Sequence, residues 1–290
     1  MDTARTPAQL RTATVMWRMR HRRVGFVPTM GALHEGHLAL VRRAAELSDR
    51  VIASVFVNPT QFGPGEDFGA YPRDPERDAG LLAGAGCDLL FLPEVETVYP
   101  PGDVTVVEVA GPPAEGLEAD HRPGHFRGVA SVVTRLFHLV GCELAVFGEK
   151  DAQQLAVVRR LVRDLHLPVE IVAHPTVREA DGLAMSSRNA YLSLEERRAA
   201  PALHRALTAA REAIDGGERD AGALRRAMSA VLDAEPLVEP EYAEVVDAET
   251  FRPVTEVRGR LVLPVAARVG RTRLIDNLQV AVDGAEQARP

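Results

Sequence analysis

Short apolar runs separated by amphipathic stretches dominate the chain up to about residue 178. The apolar runs, which are typical of buried strands, occur at residues 24–27, 51–57, 88–92, 104–109, 144–148 and 169–172. Between them, apolar residues follow helical spacing at residues 37–47, 75–85, 129–140 and 153–165. Strands that alternate with helices predict a parallel sheet with helices on both faces.

The pattern changes after residue 178. Amphipathic stretches at residues 194–214 and 221–232 predict two helices, and runs at 242–246, 261–265 and 274–278 with polar spacers predict strands. We therefore expect an α/β protein in which residues 1–178 form a Rossmann-like domain, a parallel sheet flanked by helices. Residues 179–290 are expected to form a smaller C-terminal α+β domain. Residues 283–290 have the composition of a frayed tail.

Composition and charge argue against several classes of protein. The chain has 290 residues but no run of about 18 apolar residues, so we predict no membrane span. Its basic N-terminal residues are not followed by an apolar segment, so we predict no signal peptide. Cys87 and Cys142 stand alone in apolar surroundings, which favours a reducing compartment, the cytoplasm. A net charge of −7 argues against a nucleic-acid partner, because nucleic-acid surfaces need basic residues.

The stretch FVPTMGALHEGHLALV carries two histidines, His34 and His37, where a predicted strand leads into a predicted helix. In open α/β sheets, ligands bind at the carboxyl ends of the strands, where the first N–H groups of a helix attract anions. Gly31 permits a sharp turn, and Gly36 permits a ligand to approach the backbone. Because residues three apart share a helix face, both imidazoles point the same way. These features favour a phosphate-binding site.

The histidine stretch is also compatible with different kinds of site. It is not a P-loop, because His37 and Leu38 stand where that motif has Lys and Ser or Thr. It is not the zinc-protease helix, whose histidines are four residues apart. A zinc site made by His34, His37 and either His121 or His125 remains an alternative. A pair of helix-capping or surface histidines is the second alternative.

Two further segments carry groups that suit phosphate. FGEKDAQQL holds Lys150, the only lysine among 34 Lys and Arg residues, and its compact ammonium is a point charge that a guanidinium does not mimic. The adjacent Asp151 would hold Mg²⁺ together with substrate phosphates. AMSSRN supplies Ser186, Ser187 and Arg188, two hydroxyls and a charged fork. The alternatives are chance survival of one lysine, a solvated Glu-Lys-Asp turn, and a helix N-cap with a flanking arginine.

Five stretches together resemble the pantoate–β-alanine ligase (pantothenate synthetase) family of the HxGH nucleotidyltransferase superfamily, which includes class I aminoacyl-tRNA synthetases. The stretches are FVPTMGALHEGHLALV, SVFVNPTQFGPGEDFGAYPRD, HFRGVASVV, FGEKDAQQL and DGLAMSSRNAYLS. They span residues 26–193, and the remaining length also fits the family. Ala32 and Ala152 stand where the family often has asparagine and an aromatic residue.

The resemblance implies a two-step ligation with ATP as substrate and Mg²⁺ as cofactor. The carboxylate of pantoate attacks the α-phosphorus of ATP, which gives pantoyl adenylate and pyrophosphate. The amine of β-alanine then attacks the acyl carbon and releases AMP and pantothenate. Because the adenylate is prone to hydrolysis, we expect residues 63–72, rich in Gly and Pro, to act as a lid. The family also implies a homodimer and a C-terminal domain that closes over ATP.

The same resemblance assigns roles to individual residues. The catalytic set is His37, His34, Lys150, Ser187 and Arg188, and His37 matches a proton donor. Asn58, Gln61 and Gln154 match positions that hold pantoate, Gln61 also faces β-alanine, and Asp151 is the metal candidate. The positions that would line ATP are Met30, Gly31, Ala32, Leu33, His34, Glu35, Gly36, His37, Gly148, Glu149, Lys150, Asp151, Val177, Met185, Ser186, Ser187 and Arg188.

Three rival functions are compatible with the sequence. A nucleotidyltransferase of the same superfamily would act on another small acid or on a phosphorylated substrate, and would not need the amide cluster of Asn58, Gln61 and Gln154. A nucleotide-binding regulator without chemistry would not need Lys150 and both histidines. A zinc hydrolase would contain bound metal.

Overall fold

The computed structural model describes residues 1–282, with the backbone alone at residue 18. The strands of the first sheet are β1 Asp2–Ala4, β2 Val24–Thr29, β3 Arg50–Val55, β4 Leu89–Phe91, β5 Leu144–Gly148 and β6 Glu170–His174. All pair in parallel, in the order β1-β4-β3-β2-β5-β6. The predicted tail, residues 283–290, lies outside the described residues. Within residues 1–282, no helix is long and apolar enough to cross a bilayer.

Helices cover both faces of this sheet, which confirms the predicted α/β fold. In the described chain they are α1 Pro7–Met19, α2 Glu35–Leu47, α3 Pro75–Gly84, α4 Val95–Val98, α5 Glu118–His121, α6 His125–Val140 and α7 Ala152–Asp164. Apolar side chains of α1, α6 and α7 pack in one cluster with Phe26, and those of α2 and α3 pack in another with Val27. Successive residues of a strand point to opposite faces, so each strand contributes to both layers.

The strand order reverses between β2 and β5, at the centre of the sheet. The chain leaves β2 towards β3 and β4 on one side, and returns to β5 and β6 on the other. Such a switch point opens a crevice at the carboxyl ends of the two central strands, where α/β proteins bind ligands. The histidine stretch follows β2, and Lys150 follows β5, so the topology brings two of the three predicted segments to this crevice.

Residues after the first sheet form a helical layer against an antiparallel sheet. The helices are α8 Leu194–Ala199, α9 Ala202–Asp215 and α10 Ala221–Asp233, and the strands are β7 Val238–Ala243, β8 Val246–Asp247, β9 Gly259–Val269 and β10 Thr272–Val282. The order is β10-β9-β7, and β8 also pairs with β9. This confirms the smaller α+β unit, while its boundary at residue 178 stays a prediction.

The strand predicted at residues 104–109 is wrong. The backbone N–H and C=O of Val107 bond to the Ser131 hydroxyl at 2.9 and 3.1 Å, and Arg135 donates to the carbonyl of Thr105 at 2.6 Å. Side chains of α6 therefore satisfy the inner edge of this segment, and no neighbouring strand pairs with it in the described residues. Backbone groups of alternate residues point to opposite sides of an extended segment. The N–H and C=O groups of Val104, Val106 and Glu108 therefore point away from α6, along the outer edge.

Several other elements differ from the sequence pattern, among them the short helices α4 and α5, which were not predicted. The single helix predicted at residues 194–214 is two helices, because Pro201 lacks the N–H that a continuous helix would need. Strand β1 and helix α1 were not predicted. Helix α1 buries Leu10 and Thr14 but exposes Val15, Met16 and Met19, so its apolar residues do not mark its buried face.

Candidate active site

A cavity of about 220 Å³ lies at the switch point and brings the three predicted segments together. The predicted site residues that line it are Met30, His34, Gly36, His37, Asn58, Gln61, Gly148, Lys150, Asp151, Gln154, Val177, Met185, Ser186, Ser187 and Arg188. Gly31, Ala32, Leu33, Glu35 and Glu149 do not line it, and the roles assigned to them stay predictions. The predicted chemistry requires the two histidines, the lysine and the serine–arginine pair to face the same cavity. The structure meets this requirement.

The turn after β2 is held by a buried carboxylate. Gly31 and Ala32 have φ values of +85° and +50°, so the chain turns sharply as expected, but one residue of the turn is not glycine. Asp78 of α3 accepts the N–H groups of Ala32 and Leu33, both at 2.9 Å. These two N–H groups are therefore engaged within the protein, and the free donors for an anion come from the helix that follows. The Leu33 side chain points into the core.

The two imidazoles lie against each other, with ring centroids 4.1 Å apart. The backbone N–H of His34 donates to Nδ1 of His37 at 3.4 Å, so Nε2 of His37 carries the proton. Burial, aided by the Lys150 ammonium, lowers the pKa of His34 to about 4, and burial lowers the pKa of His37 to about 3. Both rings are therefore neutral donors. Gly36 is required by this packing, because a Cβ there would lie 2.9 Å from the His34 ring.

One atom of this pair has no partner in the described structure. Nδ1 of His34 is buried and finds no hydrogen bond there. An unsatisfied buried nitrogen is costly, and a ligand that binds to it is one explanation for its presence. The orphaned nitrogen lies in the turn between β2 and α2, beside the cavity, which is where the sequence predicted phosphate binding.

Lys150 reaches the cavity from a single 3₁₀ turn, Glu149–Asp151, at the end of β5. Its ammonium lies 3.7 Å from the carboxylate of Asp151. Burial disfavours the charged form of Asp151, but Lys150 and neighbouring cations outweigh burial, so the pKa of this carboxyl is lowered. Asn277 of β10 donates to the backbone oxygens of Glu149 and Lys150 at 2.9 and 2.8 Å, which ties the turn to the C-terminal sheet.

Ser187 and Arg188 contact the predicted lid. Arg188 donates to both oxygens of Asp67, at 3.1 and 2.8 Å, and the Ser187 hydroxyl lies 3.2 Å from that of Tyr71. Two groups assigned to ATP phosphates are thus engaged by residues of the 63–72 segment. An anion that enters the cavity would meet Arg188 already neutralised by a carboxylate.

Two of the three predicted amides, Asn58 and Gln61, lie at a 3₁₀ turn between β3 and α3, whereas Gln154 lies on α7. Asn58 donates to Gln61 at 3.0 Å and accepts from the Tyr99 hydroxyl at 2.8 Å, and both amides are buried. The turn presses against α6, since a Cβ on Gly128 would lie 2.3 Å from the carbonyl of Thr60.

Several partners of the site residues were not predicted from the sequence. Asp78 could have been noticed as an acidic residue one turn before the buried Leu82, on the buried face of a predicted helix. Asn277 and Asp67 gave no local signal, because each acts on a segment far away in the chain.

No zinc site is present in the described residues. No group of three or more His, Cys, Asp and Glu side chains there could hold a metal ion. His125 instead contacts the carbonyl of Gln61, and His121 lies 3.5 Å from Glu241. The zinc alternative is therefore not supported.

Comparison with known proteins gives one consistent result. A family model described as pantoate-beta-alanine ligase matches residues 2–279. The pantothenate synthetase of Herpetosiphon aurantiacus is 53% identical, over 96% of this chain and 99% of its own length. That of Rubrobacter xylanophilus is 57% identical, over 94% and 96%. The crystal structure of pantothenate synthetase from Thermus thermophilus matches with a TM-score of 0.92 and 53% identity, covering 97% of this chain and all of that one.

A second solved structure was obtained with ligands. Pantoate-beta-alanine ligase from Francisella tularensis, complexed with beta-gamma ATP and beta-alanine, matches with a TM-score of 0.78 and 31% identity, over 96% of this chain and 97% of that chain. The sheet, the cavity at its switch point and the converging cationic and amide groups define a nucleotide-binding α/β enzyme. The chain belongs to the pantoate–β-alanine ligase family and ligates pantoate with β-alanine. A nucleotidyltransferase acting on another substrate is not favoured.

Proposed function

We propose that this chain uses ATP to form pantothenate through a pantoyl-adenylate intermediate. A carboxylate oxygen of pantoate forms a bond to the α-phosphorus, and the bond from that phosphorus to the β-phosphate oxygen breaks, which releases pyrophosphate. The nitrogen of β-alanine then forms a bond to the acyl carbon, loses a proton, and AMP leaves. The observation that carries this proposal is a cavity lined both by His34, His37, Lys150, Ser187 and Arg188, here called the cationic wall, and by Asn58, Gln61 and Gln154, here called the amide wall.

Groups on the cationic wall stabilise the charge that develops on the phosphates. Lys150 supplies a point charge, and Ser187 and Arg188 supply hydroxyl and guanidinium donors once their contacts with Tyr71 and Asp67 are exchanged for phosphate oxygens. His37 donates through Nε2–H as a neutral ring. Donors that are fixed before the reaction stabilise the transition state most, because they need no reorganisation at the moment of bond formation.

Groups on the amide wall orient pantoate. Asn58, Gln61 and Gln154 offer neutral donors and acceptors to the hydroxyl and carboxylate groups of this acid. Asn58 is bonded to Gln61 and to Tyr99, so these amides are fixed before substrate binds and would orient the pantoate carboxylate for attack. Gln61 also faces β-alanine in this scheme.

Magnesium is the metal we propose for this site. Asp151 is a half-exposed carboxylate beside Lys150, which suits an ion that binds one or two carboxylates and completes its shell with phosphates and water. The absence of a three-ligand cluster among residues 1–282 agrees with a metal brought by its nucleotide. When bound, the ion would neutralise charge on the phosphates.

Isotope exchange between pyrophosphate and ATP tests the proposal. Exchange should depend on pantoate and occur without β-alanine, because the adenylate forms before the amine reacts. β-Alanine alone should support none. Exchange driven only by another acid or a phosphorylated compound would favour a different nucleotidyltransferase, and ATP binding without any exchange would indicate a regulator.

We also propose a homodimer. Val104 and Val106 are 90% and 61% exposed, in the extended segment whose outer backbone groups have no partner in the described structure. An antiparallel copy of the same segment across a two-fold axis offers those groups the complementary donors and acceptors. Light scattering should give a dimer, and Val104→Lys with Val106→Lys should shift it towards the monomer. A monomeric wild-type enzyme would contradict this.

The cytoplasm is the compartment we propose. Cys87 and Cys142 pack in separate apolar clusters on opposite faces of the sheet, and burial raises the pKa of the Cys87 thiol to about 11. A chain whose cysteines serve as core residues suits a reducing environment. Fractionation of the native host, followed by immunodetection, checks this.

A further inference from the structure

His125 is the first residue of α6, and its ring is only 7% exposed. Its Nδ1 lies 2.9 Å from the backbone carbonyl oxygen of Gln61, and its Nε2 lies 3.2 Å from a guanidinium nitrogen of Arg122. A guanidinium only donates hydrogen bonds, so Nε2 must accept. The proton therefore sits on Nδ1, which donates to Gln61. The partners define one tautomer of a neutral ring.

Burial, aided by Arg122, lowers the pKa of His125 to about 4. The charged groups that face the ring are Arg122, Glu118, Glu66 and Asp151, and Arg122 is itself bonded to both oxygens of Glu66 at 2.8 Å. The neutral tautomer is thus stable throughout the physiological pH range. The donated hydrogen bond is a permanent contact between α6 and the turn that carries Gln61.

The hydrogen bond from His125 to Gln61 fixes the orientation of the turn. Close packing of the turn against α6 does not fix that orientation by itself. Gly128 determines how closely the turn approaches α6, because the carbonyl of Thr60 occupies the space of a Cβ. The amide of Asn58 donates to the carbonyl of Gly128 at 3.2 Å and anchors the start of the turn. His125 anchors its end, at the peptide that follows Gln61, and Arg122 donates a longer bond of 3.4 Å to the same carbonyl. A rotation of that peptide would carry the Gln61 side chain away from the cavity.

We propose that His125 is a positioning residue for the reaction, which holds Gln61 so that its side-chain amide faces pantoate and β-alanine. The ring need not touch the reacting atoms, and its effect passes through the Nδ1–H bond. The proposal rests on the proposed substrate-binding role of Gln61. It gives α6 a function besides packing, namely to set the orientation of the amide wall.

Two substitutions separate the two ring nitrogens. The amide of His125→Asn reaches the position of Nδ1 and keeps a donor for Gln61, whereas that of His125→Gln reaches the position of Nε2 and loses it. We expect His125→Gln to raise the KM for pantoate and β-alanine about tenfold, the scale of one lost hydrogen bond. His125→Asn should stay within about threefold of wild type. The KM for ATP should change little in either variant.

A matched control lies at the other end of the same helix. His138 is exposed, and its Nδ1 lies 2.8 Å from the carbonyl of Thr134, four residues earlier. His138→Asn and His138→Gln should leave all three KM values unchanged. Equal effects of the two His125 variants, or a similar rise of KM for ATP, would overturn the proposal and indicate a structural role only.

Nitrogen NMR of the wild-type enzyme keeps the test independent of whether a variant folds. The His125 ring should show a protonated Nδ1 and an unprotonated Nε2, without change between pH 6 and 8. A proton on Nε2 would overturn the inference. Pantoate-dependent isotope exchange is measured on the same samples: its absence in wild type refutes the proposed function, whereas wild-type exchange with an unaltered His125→Gln variant refutes this inference alone.

Discussion

The two walls of the cavity differ in how their polar groups are satisfied. On the amide wall, Asn58 and Gln61 are 1% and 8% exposed and bond to each other. On the cationic wall, Arg188 is bonded to Asp67, and Nδ1 of His34 has no partner in the described structure. Asn58 and Gln61 are thus hydrogen-bonded within the protein without substrate, whereas Arg188 is held by a contact that a polyphosphate would replace.

This difference follows from the chemistry of the two ligands. A small hydroxy acid is recognised by a few neutral amides, which are cheap to bury once they bond to one another. A triphosphate needs several positive charges, and uncompensated cations close together repel each other and resist burial. The carboxylate of Asp67 compensates Arg188 until phosphate arrives. We therefore expect the amide wall to be rigid and the cationic wall to exchange partners during the reaction cycle.

Loss of Lys150, on the cationic wall, should have the largest effect on activity. Lys150→Ala should lower the rate of adenylate formation by about 10²-fold or more, the scale of one lost preorganised donor. Lys150→Arg should also fail, because a planar guanidinium does not fit a site shaped for an ammonium. Pyrophosphate exchange measures both. Arg205→Lys, at a surface ion pair with Glu235, serves as the control. Near-normal exchange by the Lys150→Arg variant would show that the site does not require a lysine at this position.

Gln61→Ala tests the amide wall and should have the next largest effect. The change removes the proposed substrate contact and leaves one N–H of the buried Asn58 amide without a partner, since the other donates to the carbonyl of Gly128. We expect kcat/KM for pantoate to fall by about 10- to 100-fold, since an unsatisfied buried group adds to the lost bond. The KM for ATP should change far less. Equal effects on both substrates would show that the two walls are not independent.

The sequence predicts the groups of both walls better than it predicts what holds them. Residues of each wall occur in short contiguous motifs beside predicted strands. Strand ends and residue types point to the phosphate-binding groups, whereas Asn58, Gln61 and Gln154 are found only through the family resemblance. The supporting residues lie far along the chain: Asp78 is 46 residues from Ala32, and His125 is 64 from Gln61. Such pairs depend on how helices dock against the sheet, which local periodicity does not contain.

The same limit explains the errors in the fold. Strand β1 has three residues at the edge of the sheet, too few for an apolar run. Residues 104–109 have the pattern of a strand, but Ser131 and Arg135 of α6 take the place of a neighbouring strand. Apolar periodicity reports which residues prefer burial, whereas strand pairing also requires a partner backbone.

Asp78→Asn tests whether the cationic wall has a rigid part. The carboxylate accepts two N–H groups of the turn before His34, and an amide can accept only one while its NH₂ opposes the other. We expect KM for ATP to rise about tenfold, with KM for pantoate nearly unchanged. Asp74→Asn, at the N-cap of the same helix, is the control. A selective loss of pantoate binding would place this turn with the amide wall instead.

Asp67→Asn should have the smallest effect and tests the exchange of partners directly. Arg188 would no longer bond to a carboxylate in the free enzyme, so ATP phosphates would compete with a weaker partner. The pair is partly exposed, and such pairs contribute at most about 1 kcal/mol, so KM for ATP should fall by about fivefold or less. Glu66→Gln, which alters the neighbouring pair with Arg122, should not lower it. If Asp67→Asn raises KM for ATP, the carboxylate supports phosphate binding, and the cationic wall is as preorganised as the amide wall.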